Sequence, residues 1–277
     1  MTSIPQNKFK RYFQYLIAAI RGNEEDFTTG SIRKAIFMLS VPMILEMLME
    51  STFALVDIAF VSRVSVNAVA TVGLTESVIT LLYALAIGLS MSATAVVARR
   101  TGEKDKKGAA EAAVQAIILG TIISIVIGAI GIIYPKEILG LMGGEASLIE
   151  EGYGYTRILI GGNITIMLLF LINAIFRGAG DASVAMWALV ISNGLNIILD
   201  PIFIFGLGPI PAYGVEGAAI ATTIGRGVAV IAQFTILFFG WSRIKLSIRD
   251  FVWKAKVMLN LIKISLGGIG QFLIGTS

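Results

Sequence analysis

The sequence predicts an all-α, polytopic membrane protein, and three observations carry that prediction. Hydrophobic residues make up 56% of the 277 and charged residues only 14%, against about 25% charged in a soluble domain, and mean hydropathy is +0.84. Long apolar runs recur along the chain, each able to cross roughly 30 Å of hydrocarbon as a helix. The lysines and arginines cluster on alternate connections between those runs. A bilayer core gives no water to backbone N–H and C=O groups, so such runs must close their own hydrogen bonds as helices.

Residues 1–34 form a polar, basic N-terminal segment. Within it, KFKRYFQYLIAAIRG (8–22) interleaves aromatics with cations; it reads either as a helix lying on an anionic leaflet or as an ordinary basic tail. A region over 35–241 holds six spans, near 35–61, 68–98, 109–134, 154–176, 183–206 and 215–240. Residues 242–277 read as a basic linker and the start of a seventh span near 257. RRTGEKDKKGAA (99–110) and FRGAGD (176–181) are short turns on one side, and GLGPIPAYG (206–214) is a Gly/Pro-rich hairpin on the other. Alternating sides puts 18 of the 22 lysines and arginines with the N-terminus, and only Arg63, Lys136 and Arg157 opposite, with Arg226 inside the sixth span. The positive-inside rule therefore predicts a multi-pass cell-membrane protein with a cytoplasmic N-terminus.

The chain has no cysteine and no histidine, which removes disulfides, thiol nucleophiles, histidine-dependent triads and Cys/His metal sites. With no His-Glu-x-x-His or Gly-x-Ser-x-Gly motif either, no enzyme and no cofactor is expected. The partners expected are membrane lipid and small molecules, not nucleic acid.

A repeat extends the architecture. SVPMILEMLMEST (40–52) lines up with SLGGIGQFLIGTS (265–277), matching Ser40 to Ser265, Ile44 to Ile269 and Leu48 to Leu273, with Glu46 at the place of Gln271 and Pro42 opposite Gly267. An even number of spans separates the copies, so they share one orientation. The repeat predicts a six-helix lobe of a two-lobed (6+6) transporter plus the truncated start of its second lobe.

Ionisable groups inside spans are costly and usually face a bundle interior or a wet cavity. At about 100° per residue, Glu50 and Asp57 lie roughly 40° and 20° from Glu46, so the three acids form one stripe on the first span. Asn193, Asn196 and Asp200 share a face of the fifth. Pro201 cannot donate a backbone N–H and leaves the carbonyl of Ile197 without its helical partner. Carboxylates, amide carbonyls and a free backbone carbonyl suit H⁺ or Na⁺ rather than a transition metal. A protonated Asp200 acting as a polar staple with Asn196 is the plainer alternative. Thr222 and Thr223 follow on the sixth span, and Arg226 is either a counter-ion for these acids or a rim residue. Glu76 reads as an uninformative group near the outer interface.

VPMILEMLMESTFALVDIAFV (41–61), FRGAGD (176–181), NIILDPIFIFGLG (196–208) and GVEGAAIATTIGR (214–226) together resemble the N-terminal half of a multidrug and toxic compound extrusion (MATE) transporter of the MOP superfamily. The resemblance runs through residues 30–277. It implies twelve helices in two lobes, alternating access, and export of small organic cations coupled to H⁺ or Na⁺ entry. It implies a cation site of Asp57, Asn196, Asp200 and Thr222 and a bend at Pro42. The residues themselves, apart from the resemblance, make Glu46, Glu50, Asn193, Arg226 and Gln271 cavity candidates and Pro201 a second hinge; Glu46 and Glu50 are not universal in the family. VSRVS (61–65) departs from the glycine-containing stretch common in the family, and Gln271 stands where some relatives carry an acid. A flippase of the same superfamily, moving a lipid-linked or polyanionic substrate, is the alternative; such a protein would line its cavity with basic groups.

Overall fold

The structure, a computed structural model, describes residues 8–22 and 31–276. Residues 1–7 and 23–30 of the expected N-terminal segment, and Ser277 at the end of the repeat, lie outside the described residues. The described residues are all-helical apart from turns, a short 3₁₀ turn at Ile248–Asp250 and one isolated bridge between Leu207 and Ile210.

The helices are α1 (Lys8–Arg21), α2 (Ile32–Val61), α3 (Val66–Gly102), α4 (Lys106–Ile133), α5 (Pro135–Leu141), α6 (Ala146–Gly161), α7 (Asn163–Ala179), α8 (Ala182–Phe205), α9 (Val215–Phe239) and α10 (Ala255–Thr276). Among the described residues, six spans are long and apolar enough to cross a membrane: α3, α4, α6 and α7 taken together, α8, α9 and α10. The helix expected as the first span, α2, is not one of them. The 30-residue α2 runs beside them with Glu46, Glu50 and Asp57 in its interior.

Local chemistry sets the ends. Ser65 caps α3 by accepting from the Ala68 N–H, and Asp105 caps α4 through the Gly108 N–H. Gly180 and Gly240 end α7 and α9 in the left-handed conformation that favours glycine. The GLGPIP hairpin closes through reciprocal Leu207–Ile210 backbone bonds.

Two features differ from the sequence expectation. The fourth span begins at Ala146 rather than near 154 and breaks at Gly162. There the Asn163 amide donates to the carbonyls of Ile160 and Ser124, at 2.7 and 3.0 Å, a local bond that competes with the helical ladder. The connection before it also holds α5, with Pro135 in its first turn and Leu139 fully buried.

Packing places α2 on α8, α8 on α9, and α3 between α7 and α10. α1 lies against α2 and α8, tied by the Trp187 indole N–H to the Ile20 carbonyl. Glycines thin two seams. A Cβ on Gly225 of α9 would sit 2.7 Å from the Ser192 carbonyl oxygen of α8, and one on Gly88 of α3 would sit 2.4 Å from Ile269 of α10. Buried polar pairs, Thr75 with Thr156 and Gln233 with Asn173, tie α3 to α6 and α9 to α7.

The linker to α10 is held down. Gln115, fully buried on α4, donates to the Val252 carbonyl at 2.8 Å and accepts from the Lys254 N–H at 2.9 Å. Lys254 Nζ also reaches Glu111.

Candidate functional site

Helical periodicity brings Glu50 and Asp57 of α2 to α8, because both polar stripes lie on the faces where these helices pack. Asp57 of α2 and Asp200 of α8 are close enough to interact electrostatically, and Asp200 has Asn196 as a neighbour. The Asn196 amide donates to Thr222 Oγ1 at 2.9 Å. Asp57, Asp200, Asn196 and Thr222 thus cluster where α2, α8 and α9 meet. Asp200 is fully buried, and Asn196 and Thr222 are nearly so.

The oxygens in that cluster are left over. Asp57 Oδ1, both Asp200 carboxyl oxygens and Asn196 Oδ1 are buried with no hydrogen-bond donor among the described residues. Buried polar groups are normally satisfied, and a buried carboxylate without a donor is especially expensive. A proton or a hard cation shared by these oxygens would supply what they lack. No group of three or more acids, histidines or cysteines gathers among the described residues, so a cation there would depend on neutral oxygens as well as the Asp pair.

Asp57 also lines a cavity of ≈ 610 Å³. Its other charged walls are Glu50, Glu76 and Arg226, and its aromatic walls are Phe53, Tyr83, Phe170 and Phe272. Arg226 is buried: its guanidinium donates to the Tyr83 hydroxyl at 3.3 Å and stands 3.6 Å from a Glu50 oxygen. The second Glu50 oxygen accepts from the Asn193 amide at 3.4 Å. Arg226 is therefore an internal counter-ion, not a rim residue. Three carboxyls against one guanidinium leave the cavity an excess of acids.

Three expectations need correction. Glu76 is not an uninformative interface group, because it stands in the cavity wall. The signal was present: Val69, Val72, Gly73, Glu76, Tyr83 and Ile87 all line the cavity, and their spacing describes one face of a 3.6-residue helix. Glu46 belongs to the acidic stripe but does not line this cavity. It is buried against Arg177 of α7, 2.9 Å away. Gln271 is exposed and lines no part of it; Phe272 does. Gly268 of α10 abuts Gly88, which fixes the roll of α10, and the residue one turn on from Gly268, Phe272, takes the inward position.

Pro42 and Pro201 both lie inside unbroken helices. Pro201 follows Asp200 directly, so the Ile197 carbonyl, deprived of its helical donor, lies within one turn of the carboxyl.

The family model MatE matches residues 42–202. The chain is 29% identical over 207 residues to the probable multidrug resistance protein NorM of Thermotoga maritima, covering 75% of this chain and 45% of that protein. It is 27% identical over 202 residues to the FAD transporter of Shewanella oneidensis, covering 73% and 45%. It superposes on a MOP superfamily transporter from Pyrococcus furiosus with a TM-score of 0.80 and 32% identity, covering 93% of this chain and 54% of the other; the description of that structure notes a binding pocket of reverse polarity and suggests a different function for it. The chain spans about half the length of the relatives it matches.

Proposed function

This chain belongs to the multidrug and toxic compound extrusion (MATE) family, a family of membrane transporters rather than enzymes, and we propose that it supplies the lobe that couples ion entry to export of organic cations. The observation that carries the proposal is the Asp57–Asp200 pair: a half-buried and a fully buried carboxyl that interact electrostatically, with Asp57 Oδ1 and both Asp200 oxygens lacking a donor among the described residues.

Two ionised carboxyls this near repel each other. A single H⁺ shared between them removes the repulsion, and so does Na⁺ held by Asp57, Asp200 and the Asn196 carbonyl oxygen, with the Thr222 hydroxyl positioning the Asn196 amide. Loading the site draws α2 against α8. A bend of α2 at Pro42 would then move Glu50, Phe53 and Ala54, which line the cavity, and change the space left for cargo. Ion and cargo need only prefer opposite conformations of the lobe for exchange to follow. The aromatic walls and the excess of acids favour a small organic cation: its apolar body stacks on rings and its charge is met by carboxyls. The same excess argues against a polyanionic or lipid-linked cargo. The second lobe, in this proposal, completes the cavity, with the N-terminus in the cytoplasm.

Ethidium efflux from cells producing the intact transporter tests this. Asp57→Asn and Asp200→Asn should each abolish ion-driven efflux while the protein still inserts and folds. Normal efflux by both variants would refute the coupling site. Efflux at fixed pH with and without Na⁺ then separates the two ions.

A further inference from the structure

We propose that a second, basic cavity, remote from the cargo site, binds the phosphate of an anionic phospholipid head group. It measures ≈ 460 Å³ and lies where the α3–α4 turn meets the segment just after α9. Its walls include Lys104, Lys106 and Arg243, with the hydroxyl residues Thr101 and Ser242.

The arrangement suits a phosphate ester. Neither Lys104 nor Lys106 takes part in an ion pair among the described residues. Both acids of the turn are already engaged: Glu103 by Arg99 at 2.8 Å and Arg100 at 3.4 Å, and Asp105 by Arg100 at 3.2 Å and the Gly108 N–H at 2.9 Å. Asp181 is likewise committed: it accepts from the Ser242 hydroxyl at 2.6 Å and the Arg243 N–H at 2.8 Å, and pairs with Arg243 Nε at 3.2 Å. Those bonds fix the third cation in the wall. Thr101 Oγ1 is buried without a hydrogen-bond partner, which leaves a hydroxyl proton for an anionic oxygen. Lys104 is the only non-glycine with positive φ among the described residues, at 60°. Asparagine or glycine takes that conformation more cheaply; the lysine adds a cation facing the cavity.

Position favours a lipid over a soluble phosphate. The walls come from the last turn of α3, the start of α4 and residues 242–244, so the cavity sits where membrane spans end. Beside it Phe239 and Trp241 stack at 5.5 Å and are 66% and 72% exposed. Exposed aromatics at span ends mark head-group level, and basic pockets between spans there hold acidic lipid heads.

The test titrates short-chain phosphatidylglycerol, phosphatidylcholine, glycerol phosphate and inorganic phosphate into the intact protein in neutral detergent, reading the shift in melting temperature. Phosphatidylglycerol should stabilise far more than the other three. The variant Lys104→Asn/Lys106→Gln, which keeps the turn and helix compatible, should bind phosphatidylglycerol roughly thirtyfold more weakly, at about 1 kcal/mol per lysine. Lys107→Gln/Lys256→Gln removes as much charge from the same end without touching the cavity and should leave binding unchanged. Equal loss in both variants, no preference over phosphatidylcholine, or equally tight binding of the soluble phosphates would overturn the proposal. If the first variant melts lower without lipid, Lys106→Gln alone decides on the same criteria.

Discussion

Replacing Arg177 by methionine isolates the energetics of a buried charge that serves neither the cargo cavity nor the Asp57–Asp200 pair. The Glu46 and Arg177 side chains are 8% and 20% exposed and meet at 2.9 Å. At an effective dielectric of about 20 their attraction is roughly 6 kcal/mol, and most of it offsets the cost of taking both charges out of water. Methionine keeps the volume of the arginine stem but leaves Glu46 buried and unpaired, with its Oε1 already lacking a donor. The expected loss is about 3–5 kcal/mol. Glu46→Gln/Arg177→Met should recover most of it, because an amide buried there carries no uncompensated charge. For a chain of this size the single variant would melt roughly 6–20 °C lower, at about 2–4 °C per kcal/mol. Differential scanning fluorimetry of detergent-purified protein reads this directly. Since the penalty is that of an ionised Glu46, it should shrink as the pH is lowered and Glu46 takes up a proton. If the single and double variants melt together, or the single variant melts with the parent, the pair is not the buried, mutually dependent contact described here.

Two other perturbations test the framework around the site. Gly225→Val should lower the melting temperature and impair transport, since its Cβ would press on the Ser192 carbonyl at 2.7 Å; overpacking of this kind costs about 1–3 kcal/mol, and forcing α9 off α8 would strain the Asn196–Thr222 bond. Gln115→Leu removes both bonds that hold residues 252–254 against α4 and should cost about 1–3 kcal/mol; hydrogen exchange localised to the 247–254 linker should rise, and unchanged exchange there would contradict the clamp.

What the sequence made legible follows from what a helix determines locally. The order of the helices follows from apolar runs, although α2, expected as the first span, is not among the six that are long and apolar enough to cross a membrane. The pairing of α2 with α8 follows from two polar stripes that must face inward, which is why Asp57 and Asp200 could be named together. Facts that depend on tertiary roll were not legible. Glu46 finds Arg177 131 residues away, at a depth where its neighbour is α7 and not the cavity. Glu76 lies near a span end, where a lone acid usually faces solvent, but its spacing with Tyr83 puts it on the inward face. Gln271 followed from its alignment with Glu46, but the close approach of Gly268 to Gly88 turned it outward. The break at Gly162 depends on Asn163 reaching Ser124 of another helix, a contact no window of sequence contains.

The seam between α3 and α10 has a mechanical consequence. With Ile269 pressed on Gly88, a Gly268 Cβ position 3.0 Å from the Gly88 Cα, and the Ser92 hydroxyl bonded to the Leu261 carbonyl, two helix backbones meet there almost without padding. Rotating α10 about its own axis would drive its flanking side chains into α3, and sliding it along the axis would lift Ile269 off Gly88 and break the Ser92–Leu261 bond. The joint therefore works like a dowelled seam: α3 and α10 move as one piece.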